Sequence, residues 1–257
     1  MHTSLEFPDV LRLIEDRAAA FRAAVAAAPS LDAQVPSCPE WTLFDLVEHL
    51  GSNRRVWALT LAAGPEATGK AKFQGPAAPR DREALLDWFD ASVQELLKAL
   101  REVGPDRGCW TWWATSQSPH TSGAVARHQL QEIAVHTYDA QLTIGAVPPE
   151  LLPQEVALDG VEEFVSTCVA TASPWPHEPA VLDYHVTEGR SWRLWFSADG
   201  ARYARLPDPE AAEAPDASTH SSAAKLVLAC YGRFPVDALE IEGDRLVLDR
   251  LVEWEPE

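Results

Sequence analysis

The chain has 257 residues, of which 46% are hydrophobic and 23% are charged, a composition that supports one large or two small folded domains and excludes extensive disorder. Its formal net charge of −18 disfavours nucleic acid and anionic lipid as partners. No apolar run reaches the roughly 18 residues of a membrane span. The N-terminus shows no signal-peptide pattern, and the four cysteines lie far apart without a CxxC pair, so we expect a cytoplasmic protein.

The first 145 residues predict a bundle of helices. Apolar residues recur there at spacings of three and four, interrupted by segments rich in proline and glycine. The second of these helices begins with a capping-box pair, Thr42 and Asp45. Four helices of this length, joined by loops, indicate a four-helix bundle, which we assign to residues 1–147. The predicted helices cover about residues 8–28, 42–64, 81–103 and 121–143.

The spacing of apolar residues changes in the second half of the chain. A proline-rich segment at residues 146–153 marks the boundary, and a helix over 154–172 follows it. Apolar and polar residues then alternate, which predicts strands. We therefore assign residues 148–257 to a small α+β domain, so that the whole chain belongs to the α+β class. The predicted strands are 181–187, 191–197, 201–206 and short ones near 239–253, with a loop over 207–217 and a helix at about 219–231.

Glu132 and His136 stand four residues apart in the fourth predicted helix. This spacing puts them on adjacent turns of one face, with β-carbons about 5–6 Å apart, so a carboxylate oxygen and an imidazole nitrogen can reach one ion. Val125, Gln129 and Ile133 share that side, which favours an interior position where an unpaired carboxylate is costly. The same pattern also occurs in ordinary pairs on solvated helix faces.

His49 is a second candidate histidine, on the second predicted helix. Its neighbours are apolar, so it is either a packed core residue or a further metal ligand. Two histidines and one glutamate from two helices would form a His₂Glu set, and three protein ligands with an open fourth position are typical of a catalytic zinc site. Imidazole and carboxylate ligands also accept nickel or iron.

Two segments of the chain resemble the signatures of a known family. The first reads VPSCPEWT from Val35 and DLVEHL from Asp45, and the second reads RHQLQEIAVHTYDA from Arg127. Both are similar, in order and separation as well as in sequence, to the mycothiol-dependent maleylpyruvate isomerase family. Residues 158–163 and 232–239 are similar to that family's sterol-carrier-like C-terminal domain. The resemblance implies a DinB-like metal-binding four-helix bundle followed by a small α+β domain.

The resemblance implies zinc ligands at His49, Glu132 and His136, the same residues that the spacing singles out. It also implies mycothiol, a sugar-based thiol, as the cosubstrate, because zinc at an open position stabilises a nucleophilic thiolate. Asp139, on the same face as His136, is our candidate cofactor-binding residue. Asp139 either binds a polar group of the thiol or orients the ligand histidine.

Two positions depart from the family pattern, where Gln131 replaces a histidine and Thr137 replaces an arginine. Because both flank the predicted ligands, we favour a zinc-dependent S-transferase, in which the thiolate attacks an electrophilic substrate and stays on it. The alternative is a cis–trans isomerase of the maleylpyruvate type, in which the thiolate adds to an alkene and later leaves. A non-catalytic zinc-binding regulator, and a carrier that binds an apolar ligand in the C-terminal domain, are further alternatives.

Three tryptophans and two basic residues near the second segment stay open to more than one interpretation. Trp110, Trp112 and Trp113 either pack in the core or form the wall of a pocket. Arg127 and His128 are interpreted as surface residues rather than substrate contacts. The sequence makes no prediction of the oligomeric state.

Overall fold

The structure, a computed structural model, describes residues 5–145, 152–208 and 213–254. The chain divides into two compact units, Met1–Trp112 with His120–Leu152, and Trp113–Pro119 with Pro153–Glu257. The expected boundary between residues 147 and 148 lies outside the described residues. The sequence placed Trp113–Pro119 with the bundle, but the backbone of this segment pairs with the second unit, through a bridge between Ser116 and Thr171.

The first unit is the four-helix bundle that the sequence predicts, with a small hairpin inserted after the first helix. Its apolar core is fully buried and includes Phe21, Leu46, Trp57 and Phe89. Among the described residues, no helix is long and apolar enough to cross a bilayer. The elements are α1 Phe7–Ala27, β1 Gln34–Val35, β2 Cys38–Thr42, α2 Leu43–Ala63, α3 Arg82–Val103 and α4 Ser122–Thr143.

Polar caps fix where three of these helices begin. The side chains of Thr42, Asp81 and Thr121 each accept a hydrogen bond from the backbone N–H three residues later, which satisfies a donor that the helix itself leaves unpaired. At Thr42 the predicted capping box with Asp45 is complete. Such caps set the axial position of α2 and α4, and therefore the height at which each presents its side chains.

The hairpin of β1 and β2 occupies a segment that the sequence analysis interpreted only as a break containing prolines. The amide of Gln34 donates to the carbonyl of Trp41 at 2.7 Å, and the backbone N–H of Leu43 donates to Ala33 at 2.9 Å. These bonds hold the hairpin against the start of α2. The hairpin thereby carries Ser37 and Trp41 to the same end of the bundle as the histidines described below.

The second unit combines a five-stranded sheet with helices, which confirms the predicted α+β domain. The strands lie in the order β5-β4-β3-β6-β7, with β3 and β6 parallel and the other pairs antiparallel. A π-helical turn, Val165–Val169, follows α5 directly. The elements are α5 Gln154–Phe164, β3 Ala180–Val186, β4 Ser191–Ser197, β5 Gly200–Arg205, β6 Ala217–Ser221, α6 Ala223–Cys230, β7 Glu240–Gly243 and α7 Leu246–Glu253.

Two predicted elements of this unit are wrong in part. The helix predicted over 219–231 is present as α6, but its first residues belong to strand β6, because they pair with β3 and the helix begins only at its cap, Ser222. The strands predicted near 239–253 are present only as β7. Residues 246–253 form helix α7 rather than a strand. Val247 and Leu251 stand four residues apart, and Arg245 forms an ion pair with Asp249 at the same spacing, both of which are helical patterns.

Candidate metal centre

Helices α2 and α4 bring the three predicted ligands together. One donor atom from each of His49, Glu132 and His136 lies within 4.8 Å of the other two. Oε2 of Glu132 is 3.5 Å from Nε2 of His49 and 3.9 Å from Nε2 of His136. Among the described residues this oxygen is buried and has no hydrogen-bond partner, which is a costly position for a carboxylate unless something else compensates its charge.

The environment of Glu132 favours its ionised form. Burial by itself would raise the pKa of this carboxyl group, but the neighbouring imidazoles of His49, His136 and His128 outweigh that effect and lower the pKa below its ordinary value. The carboxylate therefore stays charged at neutral pH. An ionised, buried oxygen that faces two imidazole nitrogens is the donor set that a divalent cation requires.

A hydrogen bond to Asp139 orients the imidazole ring of His136. The two side chains meet at 2.8 Å, and since a carboxylate only accepts hydrogen bonds, Nδ1–H of His136 is the donor. The lone pair of Nε2 is then directed toward Glu132. Asp139 is fully buried, and its other oxygen accepts a hydrogen bond from the Ser37 hydroxyl at 2.5 Å. Of the two roles that the sequence left open for Asp139, this geometry favours orientation of the ligand histidine.

The centre opens on the side of His49. The His49 side chain is 35% exposed, against 10% for His136, and the Trp41 ring lies 4.7 Å from its imidazole. The groove beside His49 has a volume of about 580 Å³, within the roughly 300–1,000 Å³ of small-molecule sites. Three carboxylates and one ammonium group line it: Glu40, Asp45, Glu48 and Lys70.

The spacing of the donor atoms fits zinc. Ligand atoms about 2.0–2.1 Å from a tetrahedral zinc ion lie about 3.3–3.4 Å from one another. The 3.5 Å and 3.9 Å separations around Glu132 are close to this value and too long for strong hydrogen bonds. Three protein ligands on a tetrahedral ion would leave a fourth position for a small molecule.

Two residues near the centre differ from what the sequence suggested. His128 is buried rather than on the surface, and its ring contacts Trp57 and Trp112 edge-on. Thr137 is adjacent to His136 in sequence, but its hydroxyl lies 2.6 Å from the Ile133 carbonyl and 3.3 Å from the Arg17 carbonyl of α1. Thr137 therefore faces α1 and not the metal centre.

One buried arginine of α2, whose charge interacts with Glu132, was not predicted from the sequence. Arg54 of α2 is fully buried, its guanidinium lies 5.0 Å from the Phe89 ring, and its three nitrogens make no hydrogen bond to any described residue. Burial lowers its pKa to about 10, and the negative charge of Glu132 opposes that shift. Arg54 lacks a spacing or motif that would have singled it out, whereas Trp41 lies in the first family-like segment, VPSCPEWT, from which no role was predicted for it.

Comparison with known proteins assigns both halves of the chain to one family. Residues 11–141 match the model of the mycothiol maleylpyruvate isomerase N-terminal domain, and residues 155–250 match that of the C-terminal domain of the same family. The chain belongs to the mycothiol maleylpyruvate isomerase family. The expectation of an enzyme from a mycothiol-dependent family is thereby confirmed. No protein of curated function matches the sequence.

Two solved structures show the same fold as this family member. A crystal structure of the mycothiol-dependent maleylpyruvate isomerase is similar with a TM-score of 0.62, and a histidine-to-alanine mutant of that enzyme with 0.61. Each is 14% identical to this chain, and each alignment covers 100% of this chain and 99% of the other. At this identity the likeness establishes the architecture of both domains.

Proposed function

We propose that the chain is a zinc-dependent enzyme that uses mycothiol to catalyse cis–trans isomerisation of a conjugated alkene of the maleylpyruvate type. The observation that carries this proposal is the cluster of His49, Glu132 and His136, whose donor atoms lie within 4.8 Å of one another and whose buried carboxylate oxygen, Oε2 of Glu132, has no hydrogen-bond partner among the described residues. Membership of the mycothiol maleylpyruvate isomerase family supports the thiol and the reaction class.

Each residue of the cluster has a distinct task in this proposal. His49, Glu132 and His136 hold the ion, and Asp139 keeps the Nε2 lone pair of His136 pointed at it. A zinc ion bound there would lower the pKa of a thiol at its open position, so that the thiolate forms at neutral pH. The exposed edge of His49 and the groove beside it leave room for the thiol to approach.

The proposed isomerisation by a thiolate needs no oxidant or reductant. The sulfur adds to one carbon of the conjugated double bond, and the displaced electron pair moves into the conjugated carbonyl as an enolate. The bond between the two carbons is then single and rotates. The electron pair returns, the double bond re-forms and the same sulfur leaves as a thiolate. The thiol is recovered, and the substrate changes only its geometry. In an S-transferase the sulfur would instead displace a leaving group and remain in the product.

The structure weakens the reason for preferring S-transfer. That preference depended on Gln131 and Thr137 flanking the ligands and altering the substrate site. The Thr137 hydroxyl lies 3.3 Å from the Arg17 carbonyl on α1, and Thr137 is not among the described residues that line the groove beside His49. S-transfer is therefore the second candidate, and the two reactions differ in whether the thiol is consumed.

The test combines metal analysis with an activity assay. After gentle dialysis we expect about one zinc ion per chain, and we expect His136→Ala to lose the metal while retaining helical content. His220→Ala, a histidine replacement in the second unit, should keep the metal. Full metal content in His136→Ala would refute the ligand assignment.

The activity assay uses maleylpyruvate with catalytic amounts of mycothiol. We expect the trans isomer to form while the free thiol concentration stays constant, and we expect glutathione to substitute poorly. Stoichiometric loss of the thiol would favour S-transfer. Bound zinc without any turnover on maleylpyruvate or on a panel of electrophiles would favour a regulatory role instead.

A further inference from the structure

The second unit contains a cavity whose described lining carries no charge. Its volume is about 450 Å³, within the usual range for small-molecule sites. It lies between the sheet, α6, α7 and the π-helical turn, with Phe164, Leu226 and Trp254 among its walls. No aspartate, glutamate, lysine, arginine or histidine is among the described residues that line it. An ionised ligand would find no partner there, so the cavity suits a neutral, apolar molecule.

One polar group in this cavity has no partner. Tyr184 lines the cavity and is 4% exposed, and its hydroxyl makes no hydrogen bond to any residue that the structure describes. A buried tyrosine hydroxyl ordinarily finds an acceptor, because leaving the donor unsatisfied is costly. The cavity therefore presents one hydroxyl donor on walls that are otherwise apolar apart from the weakly polar thiols of Cys168 and Cys230.

The neighbours of Tyr184 on the sheet also carry polar groups without hydrogen-bond partners among the described residues. Trp192 on β4 and Thr219 on β6 are its direct partners in register, so the three side chains project from the same face. Nε1 of Trp192 and Oγ1 of Thr219 are also buried without a hydrogen-bond partner among the described residues. A row of three unsatisfied polar groups on one sheet face is unusual in a filled core.

The π-helical turn shapes the opposite wall. Residues Val165–Val169 form a widened turn, and Cys168 and Val169 within it line the cavity. Turns of this kind are rare and occur frequently at functional sites. The wall is therefore built by a local departure from α-helical geometry and not by a loosely packed loop.

We propose that the second unit binds a neutral, apolar small molecule that carries one acceptor oxygen, such as a ketone or an ester, with that oxygen bonded to the Tyr184 hydroxyl. The site is separate from the metal centre, since every lining residue belongs to the second unit. The binding is thus independent of the proposed isomerase activity.

Three probes with a common skeleton test this proposal by isothermal titration on the full chain. Benzophenone offers the acceptor, diphenylmethane lacks it, and diphenylacetate adds a charge. We expect one benzophenone per chain, bound about fivefold more tightly than diphenylmethane, as one net hydrogen bond implies. We expect no binding of diphenylacetate. Irradiation of bound benzophenone should label peptides from α6 or α7.

Variants locate the site and its donor. Tyr184→Phe should abolish the preference for benzophenone and leave diphenylmethane affinity unchanged, whereas Tyr203→Phe, a tyrosine outside the cavity, should keep the preference. Ala229→Phe should fill the cavity and block both probes, and Val236→Phe provides a second filling variant if the first fails to fold. His136→Ala should bind as the wild type does.

Three results would overturn the proposal. One is the absence of saturable binding by either neutral probe. Another is binding that survives both filling variants, or photolabelling outside the cavity, which would place the probe elsewhere. The third is a benzophenone preference that persists in Tyr184→Phe, because the acceptor would then bond to a different group.

Discussion

Replacement of Asp139 by asparagine tests how the metal centre is oriented. Asparagine has nearly the same shape and can still accept the 2.8 Å hydrogen bond from Nδ1 of His136, but it lacks the negative charge. Hydrogen bonds that involve a charged partner contribute about 1.5–3 kcal/mol, against about 1 kcal/mol for neutral ones. The difference of about 0.5–2 kcal/mol corresponds to a loss in zinc affinity of about 2- to 30-fold, which overlaps the roughly 10–100-fold effect of such residues in other metal sites.

The assay is competition for zinc between the protein and a fluorescent chelator at neutral pH. Ser37→Ala is the matched control, since it removes the other hydrogen bond to Asp139 but keeps the carboxylate, and we expect a smaller loss of affinity there. Thermal unfolding of the metal-free proteins should show similar stabilities for the wild type and Asp139→Asn. Wild-type zinc affinity in Asp139→Asn would refute the reasoning that this bond orients His136.

Four further results are expected. Thr42→Ala should lower the free energy of unfolding by about 1 kcal/mol in chemical denaturation, because it removes the cap of α2. The hydrogen bonds from Thr42 lower the pKa of Asp45 in the folded protein. The stabilisation by Asp45 should therefore be present above its ordinary pKa of 3.8 and lost as pH falls through the lower folded-state pKa. Equal acid dependence of the unfolding free energy in the wild type and Asp45→Asn would contradict this prediction. Arg54→Met should tighten zinc binding, because it removes a buried positive charge that interacts with Glu132; unchanged zinc affinity by chelator competition would show that the two charges are not coupled. Glu48→Gln should raise kcat/KM for an anionic substrate at low salt and much less at high salt, and a gain that is insensitive to salt would exclude an electrostatic cause.

Local signals allowed the bundle, and the shared face of Glu132 and His136, to be predicted from sequence. The caps at Thr42 and Thr121 and the apolar spacing fixed the ends of α2 and α4 closely. Once both helices are placed, the spacing of four between Glu132 and His136 dictates a shared face. Whether His49 joins them depends on how the helices pack, and the spacing alone left that open until the structure placed its donor atom beside the other two.

Residues that reach the centre from short or irregular elements could not be found in this way. Ser37 and Trp41 are carried by a hairpin whose strands have two and five residues, too short for a detectable period. Strand β6 is defined by its pairing with β3, which is distant in sequence. Arg54 has the sequence surroundings of an ordinary helix residue, and only burial against Phe89 distinguishes it.

The groove beside His49, and not the residues that flank the ligands in sequence, is where substrate selection is expected to act. Thr137 faces α1, so a substitution at this position should affect the packing of the helices more than the reaction site. The groove, in contrast, meets the exposed edge of His49 and places three carboxylates against one lysine, Lys70. Such a surface repels a dianion such as maleylpyruvate, so we expect the enzyme to turn it over with a higher KM than a related substrate that carries one carboxylate. Among members of the family, substitutions at Glu40 and Glu48 should therefore alter the preferred charge of the substrate more than substitutions at position 137 do.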